Sequence, residues 1–159
     1  MAKIIVTNKI FSDVENRNLV ALLDVIIPAN KARGLPSAAE LNFLEYLEKF
    51  GADQISTIKE ELEELNKAAL DKTQRAFFNL EKDEQQKLCG LLREMNHRFA
   101  RTILVQTLNC YYQDSRVLNA WGRKAGAQFP GGNKVPQDDL TILDPVRKRG
   151  KIFREVVEK

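Results

Sequence analysis

Ile55-Ser56-Thr57-Ile58-Lys59-Glu60-Glu61-Leu62-Glu63-Glu64-Leu65-Asn66-Lys67-Ala68-Ala69 is the stretch that decides the fold class. Ile55, Ile58, Leu62, Leu65 and Ala69 step by three, four, three and four residues, while Lys59, Glu60, Glu63, Glu64 and Lys67 fall on the other side. An α-helix turns once in about 3.6 residues, so this spacing aligns one apolar stripe and leaves the charges in water. The pattern fades near Asp71, short of the roughly three to four heptads of a sustained coiled coil, and the stripe is expected to pack within a bundle.

Toward the N-terminus the same logic repeats. Ser12-Asp13-Val14-Glu15 has the form of a capping box, in which the serine hydroxyl and the glutamate carboxylate satisfy each other's backbone amides at a helix start. Leu19, Leu22, Leu23 and Ile26 follow at helical spacing until Pro28, which pushes Ile27 out of the helical region and ends the first helix there. Pro36 and a second box, Ser37-Ala38-Ala39-Glu40, are expected to open a helix carrying Leu41, Leu44, Leu47 and Phe50 on one side, closed by Gly51.

Toward the C-terminus, Phe77, Phe78 and Leu80 form an apolar knot before Asp83, and Leu88, Leu91 and Leu92 mark a fourth helix. A fifth is expected from about His97 to Tyr112. Its apolar residues, Phe99, Ile103, Leu104, Val105, Leu108, Cys110, Tyr111 and Tyr112, run nearly all the way round. Such a helix is buried at the centre of a bundle or faces a partner on its second side. Asp114 and Ser115 can cap a short sixth helix with Val117, Leu118 and Trp121, stopped by Gly122. Beyond it Gly126, Pro130, Gly131, Gly132, Pro136 and Pro145 interrupt any helical period. The expected architecture is all-α: a compact bundle of five or six helices over residues 1–121, then an irregular Gly/Pro-containing tail over 122–159 that docks a partner.

The 159 residues suit one domain, and the 43% hydrophobic and 30% charged fractions are ordinary for a water-exposed globule. No stretch approaches the roughly 18 apolar residues needed to span a bilayer. With 25 basic residues interleaved with 22 acidic ones, the net charge of +3 does not resemble a nucleic-acid footprint. Only the end is distinctly basic: Arg147, Lys148, Arg149, Lys151, Arg154 and Lys159 stand against Glu155 and Glu158. The start, Met1-Ala2-Lys3-Ile4-Ile5-Val6-Thr7-Asn8-Lys9, has no secretory h-region, which points to the cytoplasm. There Cys89 and Cys110 are expected to remain buried thiols, a bridge between them being the alternative.

Residues for catalysis do not converge. Histidine is the commonest acid–base group, and the chain has one, His97, among Asn96, Arg98 and Arg101, where a surface or capping role is expected. Glu94-Met95-Asn96-His97 supplies a single Glu-x-x-His pair where a di-iron bundle uses two. One histidine and two cysteines fall short of a four-ligand zinc site. Gly131-Gly132-Asn133-Lys134 lacks both the first glycine and the hydroxyl residue of a phosphate loop. What remains is binding. Tyr111, Tyr112, Trp121 and Phe129 are of types enriched at interface hot spots; the alternative is that they pack on their own bundle, which is favoured for the tyrosines and less so for Phe129.

The same segments carry a family resemblance. Leu22-Leu23-Asp24-Val25-Ile26-Ile27-Pro28-Ala29, then Gly34-Leu35-Pro36-Ser37-Ala38 with Phe43 and Leu44, resembles the opening signature of the gluconate 2-dehydrogenase subunit 3 family. Thr107-Leu108-Asn109-Cys110-Tyr111-Tyr112-Gln113-Asp114-Ser115-Arg116-Val117 is similar to that family's tyrosine-rich helix end, and Trp121-Gly122 with Phe129-Pro130-Gly131-Gly132 resembles its glycine-rich exit. The resemblance implies a non-catalytic small subunit that stabilises a large flavoprotein of the glucose-methanol-choline oxidoreductase type. In it the FAD sits in the partner, and some complexes add a haem-bearing electron-transfer subunit. Many members begin with a twin-arginine leader, which this start lacks, so the expected address is the cytoplasm, or the periplasm if a leader has been removed.

On that reading Tyr111, Tyr112, Trp121, Phe129, Pro130, Gly131, Gly132, Arg147 and Arg149 are the candidate partner-binding residues, with no catalytic, metal or cofactor residue in this chain. The competing reading is an independent helical adaptor that holds an acidic surface through its basic tail.

Overall fold

The computed structural model describes residues 10–123 and 139–150. The chain divides into two units, Met1–Gly126 and Ala127–Lys159, which are described separately. Among its described residues the first holds six α-helices: α1 (Asp13–Ile26), α2 (Phe43–Phe50), α3 (Ile55–Thr73), α4 (Lys82–Met95), α5 (Arg101–Tyr111) and α6 (Ser115–Ala120). Among the described residues there is no strand, only an isolated bridge between Asn30 and Leu35, and the all-α expectation holds.

Local signals set most helix ends. At α1 the Ser12 amide donates to Glu15 Oε2 at 2.6 Å and the Glu15 amide to Ser12 Oγ at 3.3 Å, completing the capping box. The α3 stripe is buried as expected, with Ile58, Leu62, Leu65 and Ala69 against the core. Leu19, Leu22 and Leu23 of α1, Leu47 of α2, Leu88 and Leu92 of α4, Ile103 of α5 and Val117 of α6 close around it.

The second capping box is real but shorter in effect than expected. Ser37 caps a single 3-10 turn, Ala38–Glu40, and Leu41 then turns extended, with φ −86° and ψ 159°, so the helix starts only at Phe43. Two long-range bonds explain the halt: Ser37 Oγ donates to Asp24 Oδ1 at 2.6 Å, and the Ala38 amide donates to the Ile27 carbonyl at 2.9 Å. These tie the turn to the end of α1 before a helix can propagate. Phe43 and Leu47 become the buried residues of α2, and Phe50 lies in solvent.

The Phe77 knot is a 3-10 turn, Phe77–Asn79, held by polar side chains from three helices. Asn18 of α1 accepts from the Phe78 amide, Asn66 of α3 from the Phe77 amide, and Gln85 of α4 donates to the Phe77 carbonyl. With its backbone thus satisfied, the Phe77 ring can be fully buried.

In the second unit the described part of the expected irregular tail forms two short turns. Asp139 accepts from the Thr141 amide at 3.0 Å, a 3-10 turn covers Leu140–Leu143, and one helical turn, α7 (Asp144–Arg147), follows with Pro145 in its first turn. Proline is tolerated there because the first amides of a helix have no internal partner.

Candidate partner-binding site

The site is built on α5, which is fixed at both ends. At its N-terminus Ala100 takes the left-handed conformation, φ 49°, and so breaks the helix expected from His97; regular turns begin only at Arg101. The orphan amides of Thr102 and Ile103 donate, each at 2.9 Å, to the two carboxylate oxygens of Glu61, a half-buried residue of α3. An acidic group at a helix N-terminus also complements the helix dipole. At the other end the buried Tyr111 hydroxyl donates to the Pro36 carbonyl at 3.0 Å. Tyr46 of α2 steadies the flank, its hydroxyl donating to Gln106 Oε1 at 3.0 Å.

Between those anchors the helix shows two apolar sides, which resolves the all-round pattern of its sequence. Ile103, Thr107, Cys110 and Tyr111 face the core; Leu104, Val105, Leu108 and Tyr112 are exposed. Thr107 is satisfied on the buried side by donating to the Ile103 carbonyl at 2.6 Å. The exposed set recurs at spacings of three and four and forms one stripe.

Tyr112 carries the stripe onward. Its ring lies 5.5 Å from that of Trp121, which is 53% exposed, and edge-on to Tyr111 at 5.6 Å. Trp121 is held by the end of α6: Gly122, at φ 68°, donates to the Asn119 carbonyl, and the Arg123 amide reaches back to Leu118 at 2.8 Å. This pair of bonds is a Schellman closure, which glycine adopts without steric cost. At its start Asp114 accepts from the Arg116 amide and guanidinium, and Arg116 holds that carboxyl below its ordinary range.

Of the candidate residues, the structure therefore brings Tyr112 and Trp121 together in solvent. Tyr111 is corrected to an internal strut, since only 3% of it is exposed. Phe129, Pro130, Gly131 and Gly132 lie outside the described residues. Arg147 and Arg149 are exposed in the second unit, where Arg147 pairs with Asp144 at 3.2 Å. Leu104, Val105 and Leu108 were not singled out from sequence, although the excess of apolar residues in α5 was their signal.

Reactive chemistry is scarce among the described residues. His97 is exposed in a turn, and no three His, Cys, Asp or Glu side chains gather as metal ligands. Cys89 and Cys110 are free thiols, not a bridge. Burial pushes both up to about 11, Asp114 adding to the shift at Cys110. A thiol so shifted is a poor nucleophile near neutrality.

The fold among the described residues is an all-α bundle, and α5 with Tyr112 and Trp121 presents one aliphatic and aromatic stripe to solvent. The chain is a member of the gluconate 2-dehydrogenase subunit 3 family, whose profile matches residues 13–124, from the start of α1 to just past the Gly122 closure. Neither a curated protein nor a solved structure matches it significantly.

Proposed function

We propose that the chain is a non-catalytic small subunit that binds and stabilises the large FAD-dependent subunit of a sugar or alcohol dehydrogenase of the glucose-methanol-choline type. The observation that carries this is the solvent-facing stripe Leu104, Val105, Leu108, Tyr112 and Trp121 on a chain of this family. Leaving such residues in water is unfavourable, and a covering partner removes that cost. The FAD belongs to the partner, and the chemistry of oxidation stays there. This chain contributes a fixed surface, in the cytoplasm, and the residues of its tail extend the contact.

The adaptor alternative through Arg147 and Arg149 has less behind it, because Arg147 already has a carboxylate neighbour in Asp144.

Co-expression tests the proposal. The large subunit made with this chain should be soluble, yellow and active, and made alone it should lose flavin or precipitate. A large subunit equally soluble, flavinated and active alone would overturn it.

A further inference from the structure

At Leu104 the exposed stripe of α5 runs into a cleft of about 350 Å³. Ile26 of α1, Cys89 and Gly90 of α4, and Phe99 in the turn before α5 wall it, and no acidic residue lines it. Two features at this cleft are not explained by packing among the described residues.

The first is Gly90. It stands in the interior of α4, where glycine weakens a helix relative to alanine. A Cβ placed on it would meet nothing within 4 Å, so no neighbour demands its absence. A bare backbone at the edge of an open cleft admits close approach by another chain.

The second is charge. Arg93 lines the cleft one turn beyond Gly90, and Arg98 and Arg101 bracket the Phe99–Ala100 wall. All three are exposed, and none forms an ion pair among the described residues. The cleft is apolar inside, and at its rim the three arginines outnumber one carboxylate, Glu94, which lies beside Gly90 and Arg93. A second copy of this chain fits poorly, because a two-fold contact through this face would set arginines against arginines.

The geometry points to this cleft as the seat of one segment of the flavin-bearing subunit, in which an aliphatic or aromatic side chain is flanked by carboxylates. The side chain enters between Cys89 and Phe99, the backbone passes over Gly90, and the carboxylates meet Arg93, Arg98 and Arg101. This deepens the accessory-subunit reading and rests on it.

The test uses the purified complex of the full chain with its large subunit. Gly90→Leu fills the cleft with a good helix former, and Arg93→Glu reverses the rim. Each should weaken the complex about tenfold or more. The Arg93→Glu loss should shrink as salt rises, and the free Gly90→Leu chain should keep its helical content and a Tm no lower than wild type. If Gly90→Leu fails to fold, Gly90→Ala takes its place in the same comparison. A photo-crosslinker at Gln86, which also lines the cleft, should capture a large-subunit peptide with acidic residues beside an apolar one. Wild-type affinity in both variants, or capture of this chain's own tail or a second copy, overturns the cleft assignment while the complex still forms. Failure of the wild-type chain to bind any flavoprotein overturns the underlying reading instead.

Discussion

The side-chain Oδ1 of Asn18 accepts the backbone N–H of Phe78 at 3.1 Å, across sixty residues of chain. Asn18 is 1% exposed, so no water can take its place without the core opening. Replacement by leucine leaves the Phe78 amide without its acceptor, and Asn18→Leu should cost about 1–3 kcal/mol by urea unfolding. Gln85→Ala removes another hold on the same turn. The two substitutions should couple, their combined effect departing from the sum by more than about 0.5 kcal/mol.

The tyrosine pair should separate stability from binding. Tyr111→Phe deletes the bond to Pro36 and should lower stability by about 0.5–1.5 kcal/mol while the large subunit still binds. Leu108→Asp and Trp121→Ala, at positions 36% and 53% exposed, should weaken association far more than they lower Tm. Equal loss of binding for Tyr111→Phe and Leu108→Asp would contradict the division into strut and surface.

Among the described residues two other than glycine have positive φ, and they should respond differently to glycine. Gln74 is exposed at the end of α3 with φ 56°, so Gln74→Gly should stabilise by about 0.5–1 kcal/mol. Ala100, at φ 49°, is buried, and its glycine variant gives back strain but loses a methyl worth about 0.8 kcal/mol. Its denaturation midpoint should hardly move.

Asp24 makes stability depend on acid. Its side chain pairs with Lys82 and accepts from Ser37, and these two partners, in that order, hold its carboxyl below the ordinary range. A depressed carboxyl contributes stability above its unfolded value of about 3.9 and loses it as pH falls through the lower folded value. Asp24→Asn should cost about 1–2 kcal/mol at pH 7, and the cost should shrink as pH falls from about 3.9 through the lower folded value in a pH series of thermal melts.

The thiols should be silent in the folded chain. With Cys89 and Cys110 shifted up to about 11, only about a thousandth of either is thiolate at pH 8. Ellman's reagent should label them slowly under native conditions and rapidly in guanidinium. Fast native labelling would mean that α4 or α5 opens readily.

What the sequence revealed was local. Capping at Ser12, the α3 stripe, the Asp114 start and the Gly122 stop all depend on residues within a turn or two, and each falls where the pattern puts it. The misses involve partners far away in the chain. Nothing around Ser37 shows that Asp24 will claim its hydroxyl, and nothing around Ala100 shows that Glu61 will receive the amides just after it. Glu61 sits in a run of glutamates that reads as a solvated face, yet it turns inward. The surface of α5 was half legible: its apolar surplus is plain in the sequence, but which members face water depends on where α2 and α3 stand.

The double anchoring of α5 has a mechanical consequence. With its first turn gripped by Glu61 and its last by the Tyr111–Pro36 bond, the helix can neither slide nor roll without breaking a buried contact. The backbone beneath its outward ridge is thereby held where the core sets it. A partner meeting a ready-made template loses less conformational freedom in forming the complex than one that must first order a loose segment. The same rigidity makes the template selective, because a poorly matched surface finds no give in α5.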